Sequence, residues 1–313
     1  MAQLKALVDK LLTNVSNGPF QGDERFIAEK AFPEIEVVET SGSLGKYGTS
    51  FLRVEHDLMG GRGEAKRVEA ITRSTATYLL EKHGLQGVVT PDDYRNVTAP
   101  YDAEKDEVIG VTTLIKMGKE SALASALTNT AVLTQNSTLS GQAQFSDYAN
   151  SDPLTKAKEA AATIYSASGE VADTVITSWL VINTLQYHPA ILESLGFKMQ
   201  RAGLLSVEEI AKAMNVKRIL IGSAVYESAK EGQTSSLAAI WGKHMIFARL
   251  PEKAAPYQKS LGYYIKAAGE PTRGVYKSPI DNPPGSTSII VQDYYQFLIA
   301  DAACGYLYKN VIA

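Results

Sequence analysis

"TAPYDAEKDEVIGVTTLIKMGKESALASALTN", residues 98–129, reads as one long helix, and the rest of the chain is interpretable around it. Asp102 is placed to cap its start, and Glu104, Asp106 and Glu107 suit the positive end of the helix dipole. Val108, Val111, Ile115, Ala122 and Ala126 recur at steps of three and four, the spacing of a buried stripe. Lys116 and Lys119 fall away from the acidic end. At 1.5 Å per residue such a helix is about 40 Å long, a rod that suits a scaffold.

Upstream, "MAQLKALVDKLLTNVSNG" spaces Leu4, Leu7, Val8, Leu11 and Leu12 as a short amphipathic helix, which "NGPFQG" ends. "EIEVVE" alternates acidic and apolar residues like a half-exposed strand. Residues 46–82 hold two extended arms around the glycine-rich tip "MGGRG" (59–63), the pattern of a long β-hairpin. The second arm alternates less cleanly and has partly helical character.

Downstream, "AQFSDYANSDP" (143–153) is an aromatic-rich turn ending in Asp152-Pro153, a helix start with Asp as cap and Pro in the first turn. Leu154, Ala157, Ala161, Ile164 and Tyr165 form the expected buried stripe. "DTVITS" (173–178) reads as a buried strand, "WLVINTLQYHPAILESLGF" as a helix broken at Pro189, "SVEEIAKAMNV" as a helix with the capping box Ser206/Glu209, and "KRILIG" as a strand. "AIWGKHMIFARLP" suggests a hairpin turning at Gly242-Lys243. This alternation marks an α/β unit from about Ser151 to about Ala268. "GSTSIIVQDYYQFLIADAACGYLYKNVIA" is strand-rich and is expected to return to the rod.

Composition narrows the function. In 313 residues, 21% are charged and the net charge is −3, without the basic stripe of a dedicated nucleic-acid binder. The single cysteine, Cys304, rules out an intramolecular disulfide framework and reads as a small buried hydrophobe. No stretch approaches the roughly 20 apolar residues of a membrane helix, and a reducing, cytoplasm-like setting is expected. His56, His83, His188 and His244 lack metal-ligand spacing. Ser223 in "LIGSAVY" lacks the glycines of a nucleophile elbow. "GSLGKY" (42–47) has Thr40 where a phosphate loop needs its first glycine and Tyr47 where it needs a hydroxyl ligand. An enzyme with a phosphate loop there or at 59–63 is the rival from another class; it predicts saturable nucleotide binding that depends on Lys46 or Arg62. No catalytic constellation, cofactor site or metal site emerges. What emerges is an architecture in which about 80 residues form arms that bury little of themselves and need neighbours.

The series "DERFIAEKAFPEIEV", "FSDYANSDP", "YHPAILESLGF", "LSVEEIAKAMNVKRILIGSAVYESAKEG", "AIWGKHMIFARLP" and "DAACGYLYKNVIA" resembles, in order, the major capsid proteins of tailed double-stranded DNA bacteriophages, the Hong Kong 97-type capsid fold. The resemblance implies an α+β fold with an N-terminal arm (1–44), an E-loop hairpin (45–88), a peripheral domain with the spine helix (89–150), an axial α/β domain (151–270) and C-terminal strands (271–313) returning to the peripheral domain. It implies a non-enzymatic shell protein that assembles with itself as pentamers and hexamers around packaged DNA. The shell would be built in the host cytoplasm and end in the virion, with a portal protein, a separate scaffolding protein and room for a decoration protein. Arg25, Phe26 and Phe32 would anchor the N-arm, and Phe51, Leu52, Leu58, Met59 and Arg62 would reach over a neighbour. Phe145 and Tyr148 would pack the joint between spine and axial domain, with Asp152 capping the next helix. An encapsulin-like compartment shell is the alternative within the same fold.

Overall fold

The computed structural model describes residues 7–20, 22–48, 52, 54, 58, 73–98, 101–196, 204–255, 258–268 and 273–313. The chain opens with β1 (Leu7–Val8) and α1 (Lys10–Asn17). The helix therefore starts later than the apolar spacing suggests: Asp9 is its cap, accepting from the N–H groups of Leu11 and Leu12. A 3-10 turn (Asp23–Arg25), α2 (Ala28–Ala31) and β2 (Glu34–Val37) complete the N-terminal segment. Next come β3 (Ser41–Tyr47), β4 (Arg73–Leu79), β5 (Glu81–Val89), α3 (Pro91–Asn96) and α4 (Ala103–Thr128). After β6 (Asn136–Thr138), the chain forms α5 (Pro153–Ser168), β7 (Thr174–Ser178), α6 (Trp179–Leu185), α7 (Pro189–Ser194), α8 (Val207–Ala213) and β8 (Arg218–Gly222). The remaining strands are β9 (Val225–Glu227), β10 (Leu237–Ala239), β11 (Met245–Ala248), β12 (Gly262–Ala267), β13 (Arg273–Ile280), β14 (Ser286–Ile299) and β15 (Gly305–Lys309).

Two sheets carry the fold. In the first, the 14-residue β14 is the hub: it pairs antiparallel with β13, β5 and β12, while β1 and the parallel β2 close the ends. The second has the order β6-β15-β11-β7-β8, with β7 and β8 parallel and joined by the α6–α8 crossover. β3 and β4 form a separate antiparallel ribbon, at the base of the expected hairpin. Gly42–Tyr47 lies within that ribbon as strand, so it cannot wrap a phosphate. The tip at 59–63 lies outside the described residues; the second arm is strand over Arg73–Leu79, where its pairing with β3 leaves no helical turn, against the partly helical character expected of it.

Helix α4 joins the two sheets. Its first half packs Val108, Val111 and Ile115 on Val89, Val275, Ile289 and Val291 of the first sheet. Its second half packs Leu123, Ala124 and Leu127 in a cluster that includes Ile246 and Leu307 of the second. Asp102 caps it as expected, accepting from Glu104 and Lys105 N–H. The buried stripe shifts along its length: Leu123 and Leu127 are buried where Ala122 is exposed.

Two other readings change. Tyr165 is exposed and Ala160 takes its place in the stripe of α5. Gly242 does turn the chain, with φ +56°, but the flanking strands do not pair with each other. Instead β10 pairs with β9, and β11 lies between β7 and β15. Four all-buried residues make β11 a central strand that needs partners on both sides.

Candidate assembly surfaces and the buried charge cluster

Three successive polar residues of α4 point inward. Lys116 pairs with Asp23 in the N-terminal turn and lies 4.6 Å from the Phe20 ring centroid. Lys119, with a fully buried side chain, places Nζ 2.6 Å from Glu29 Oε1, 2.6 Å from Asp293 Oδ2 and 2.9 Å from the Tyr264 hydroxyl. Arg273 completes a quartet, reaching Glu29 at 2.5 Å and Asp293 at 3.4 Å, and donating to Ser16 C=O at 2.9 Å. Two cations face two carboxylates, so the buried group is neutral as a whole. Tyr295 and Tyr264 line it, with Lys119 Nζ 4.5 and 5.3 Å from their ring centroids.

Glu120 forms a second knot. Its Oε2 accepts from Ile27 N–H (3.0 Å) and Ala28 N–H (2.8 Å), and its Oε1 accepts from the Trp241 indole N–H (2.5 Å). Glu120 thereby satisfies donors at the start of α2, which has no side-chain cap of its own.

The two glutamates titrate in opposite directions. Burial raises the Glu29 carboxyl, but Lys119 and Arg273 outweigh it and hold the group at about 2. Burial dominates at Glu120 and raises it, the three accepted hydrogen bonds offsetting only part of the cost. Glu29 therefore contributes stability that is fully present above its unfolded value of 4.5 and is lost as pH falls toward about 2. Glu29→Gln should lower the urea midpoint at neutral pH, and the gap to wild type should narrow as the buffer is taken to about pH 3. A gap of equal size at both pH values would show that the ion pairs are not its source.

The aromatic-rich turn at 143–153 is packed from several sides. Phe145 is fully buried and its N–H donates to Val311 C=O at 2.6 Å. Tyr148 is 43% exposed, donates to Thr184 C=O at 3.3 Å and sets its ring edge-on to His188. Asp152 caps α5, accepting from Leu154 and Thr155 N–H at 3.0 and 3.2 Å. Buried His188 bonds Ser151 Oγ through Nε2 (2.9 Å) and accepts from Ala190 N–H through Nδ1 (3.3 Å). Both of its ring nitrogens are thus used structurally.

The remaining expected contact residues separate by exposure. Phe26 and Phe32 are buried against their own chain, while Arg25 is exposed and donates to Gly22 C=O at 3.1 Å. Leu58 is 96% exposed and Leu52 half exposed, with Val54, which sequence reading passed over, at 98%. Phe51, Met59 and Arg62 lie outside the described residues. Trp179, Tyr187 and Leu237 are further large apolar side chains facing solvent. Their helical or strand periodicity gave no sign that they would be uncovered.

Chemistry finds little purchase. Among the described residues no cluster of His, Cys, Asp and Glu could hold a metal ion. Burial pushes the Cys304 thiol up to about 12, which leaves it inert at neutral pH. Two adjoining hollows of about 450 and 480 Å³ flank Lys217 and Arg249. Arg249 there is paired with Glu170 and Asp173, and Arg218 donates to Thr174 Oγ1 at 3.0 Å.

A long helix bridging two sheets, with an antiparallel ribbon packed beside the first, makes an α+β fold of the Hong Kong 97-like capsid class. A phage-related protein from Bordetella bronchiseptica superposes with TM-score 0.74 at 20% identity over 98% of each chain. The capsid of cyanophage P-SCSP1u superposes with 0.58 at 12% identity, over 93% of this chain and 92% of that one. An encapsulin from Synechococcus elongatus shares the fold more distantly, at 0.52 and 10% identity over 98% of each chain. In sequence, the chain is 24% identical to the major capsid protein of Burkholderia phage BcepMu over 97% of both, and 22% identical to that of Pseudomonas phage JBD67 over 96% of this chain and all of the relative. No protein-family model matches. The chain is a homologue of phage major capsid proteins and carries the phage capsid fold.

Proposed function

We propose that this chain is the major capsid protein of a tailed double-stranded DNA bacteriophage, assembling with itself as pentamers and hexamers into an icosahedral shell around packaged DNA. The observation that carries this reading is the near full-length similarity to two curated phage major capsid proteins, joined to the fold. Residues 1–44 serve as N-arm, 45–88 as E-loop, 89–150 as peripheral domain, 151–270 as axial domain and 271–313 as returning strands. The role is mechanical and not enzymatic. With a net charge of −3 the inner wall holds DNA by confinement more than by attraction. The shell is built in the host cytoplasm with a separate scaffolding protein and a portal protein, accepts a decoration protein, and ends in the virion.

Assembly contacts come from the E-loop, where Phe51, Leu52, Leu58, Met59 and Arg62 reach a neighbour, and from the N-arm, where Arg25 is exposed and Phe26 and Phe32 hold the arm in place. Phe145, Tyr148 and Asp152 brace the joint between peripheral and axial domains. An apolar side chain at 96% exposure gains nothing within its own subunit and is best explained by burial between copies.

Electron microscopy of the protein expressed alone, and then with its neighbouring genes, tests this. Wild type should give uniform closed shells or rings of six and five. Leu58→Asp should give subunits of unchanged thermal stability that do not close shells. A compact monomer under every condition would sink the proposal, and intact Leu58→Asp shells would remove Leu58 from the contact. The encapsulin reading, favoured by the Synechococcus neighbour, predicts shells filled with a cargo enzyme and free of DNA.

A further inference from the structure

The β9–β10 ribbon leaves the second sheet on two stems. β8 runs through Ser223 and Ala224 into it, and Ile240 and Trp241 lead out, with Ile240 N–H donating to Ala224 C=O at 3.0 Å. The ribbon has three residues per strand and leaves Val225, Tyr226 and Leu237 exposed. A two-stranded ribbon of this size has no stability of its own. Its stems must set its pose.

Both stems are held from the same side. At the entry, Ser223 N–H donates to the carbonyl of Arg25 at 3.3 Å. At the exit, Trp241 donates to Glu120, whose other oxygen accepts from Ile27 and Ala28. The indole is 1% exposed and lies over Gly222, the last residue of β8, where a Cβ would stand 2.0 Å from Trp241 Cδ1. The ring cannot shift without displacing the end of β8. Arg25, Ile27 and Ala28 belong to one short run of the N-terminal segment, itself fixed through Lys116–Asp23 and Lys119–Glu29.

We propose that residues 22–32 and the β9–β10 ribbon form one coupled unit: docking of the segment on α4 fixes the ribbon, and loosening the segment frees it. The inference concerns the subunit itself and stands whether or not the shell reading holds. Coupling of this kind is reciprocal, since each end must bias the other by the same factor. The ribbon's exposed turn around Lys230 would then report the state of the N-terminal segment.

Hydrogen exchange by mass spectrometry on the purified chain tests both directions. Lys116→Ala perturbs the segment without touching the ribbon, and Trp241→Phe removes the indole donor while keeping a ring over Gly222. Lys116→Ala should speed exchange across 225–239 about fivefold or more, and Trp241→Phe should do the same for the peptide holding Ile27 and Ala28. In both variants β7, β11 and β15 should keep wild-type protection. A variant that loosens only its own end overturns the proposal. Faster exchange of equal size in β7, β11 and β15 also overturns it, because that is loss of global stability.

Discussion

Lys119→Met should cost the fold about 3–5 kcal/mol, the penalty for removing one partner from a buried charge group. Methionine keeps nearly the length of the side chain, so the loss isolates the charge from the packing. Without Lys119, the buried quartet goes from neutral to a net charge of −1. Asp293 is left with Arg273 at 3.4 Å, and its Oδ1 already lacks a hydrogen-bond partner among the described residues. Glu29 keeps Arg273 at 2.5 Å and has some access to water, so Asp293 carries most of the cost. The sign of a second change follows. Lys119→Met with Asp293→Leu restores neutrality and leaves the Glu29–Arg273 pair intact, so the double variant should be more stable than Lys119→Met alone. Urea unfolding of the unassembled subunit measures both. A single variant within about 1 kcal/mol of wild type would count against a charge-paired core, as would a double variant worse than the single.

These residues show where sequence reading stops. Local rules worked wherever structure is made by near neighbours: Asp102, Asp152 and the Ser206/Glu209 box cap the helices they were expected to cap. Period-based reading of α4 then failed in its second half, because charged residues at a helical step are ordinarily assigned to solvent. Lys116, Lys119 and Glu120 are buried only because their partners arrive from Asp23 and Glu29 on one side and from Trp241 and Asp293, far along the chain, on the other. The same limit explains β11. Its neighbours β7 and β15 are distant in sequence, whereas the adjacent turn at Gly242 offered a local hairpin that the fold does not use. Exposed apolar side chains were legible as residue types and not as positions. Leu58 was visible as an apolar residue beside a glycine-rich tip, but Trp179 and Tyr187 could be seen to be uncovered only once α6 was placed.

Glu120→Gln should be destabilising, and its cost should shrink where Trp241 is already replaced by Phe. The carboxylate accepts from three N–H groups, and an amide cannot replace it in either orientation. With its oxygen toward Ile27 and Ala28, the Gln NH2 meets the indole N–H; flipped, it meets the two backbone donors. One side is always donor against donor, at a cost of about 1–3 kcal/mol for each unpaired buried group. Trp241→Phe alone removes one donor and leaves the carboxylate its two backbone bonds, so its cost reflects a lost charged hydrogen bond and a smaller ring. In the double variant the amide oxygen takes Ile27 and Ala28, and nothing opposes its NH2 group. The combined loss should therefore fall short of the sum of the single losses by about 1 kcal/mol or more. Additive losses would mean that Glu120 holds the N-terminal segment and Trp241 independently. The raised carboxyl of Glu120 gives a second check. Ionisation at this site costs stability above its folded pKa, so the Gln substitution removes that cost and should look least harmful at neutral pH, becoming more harmful as acid protonates the wild-type group.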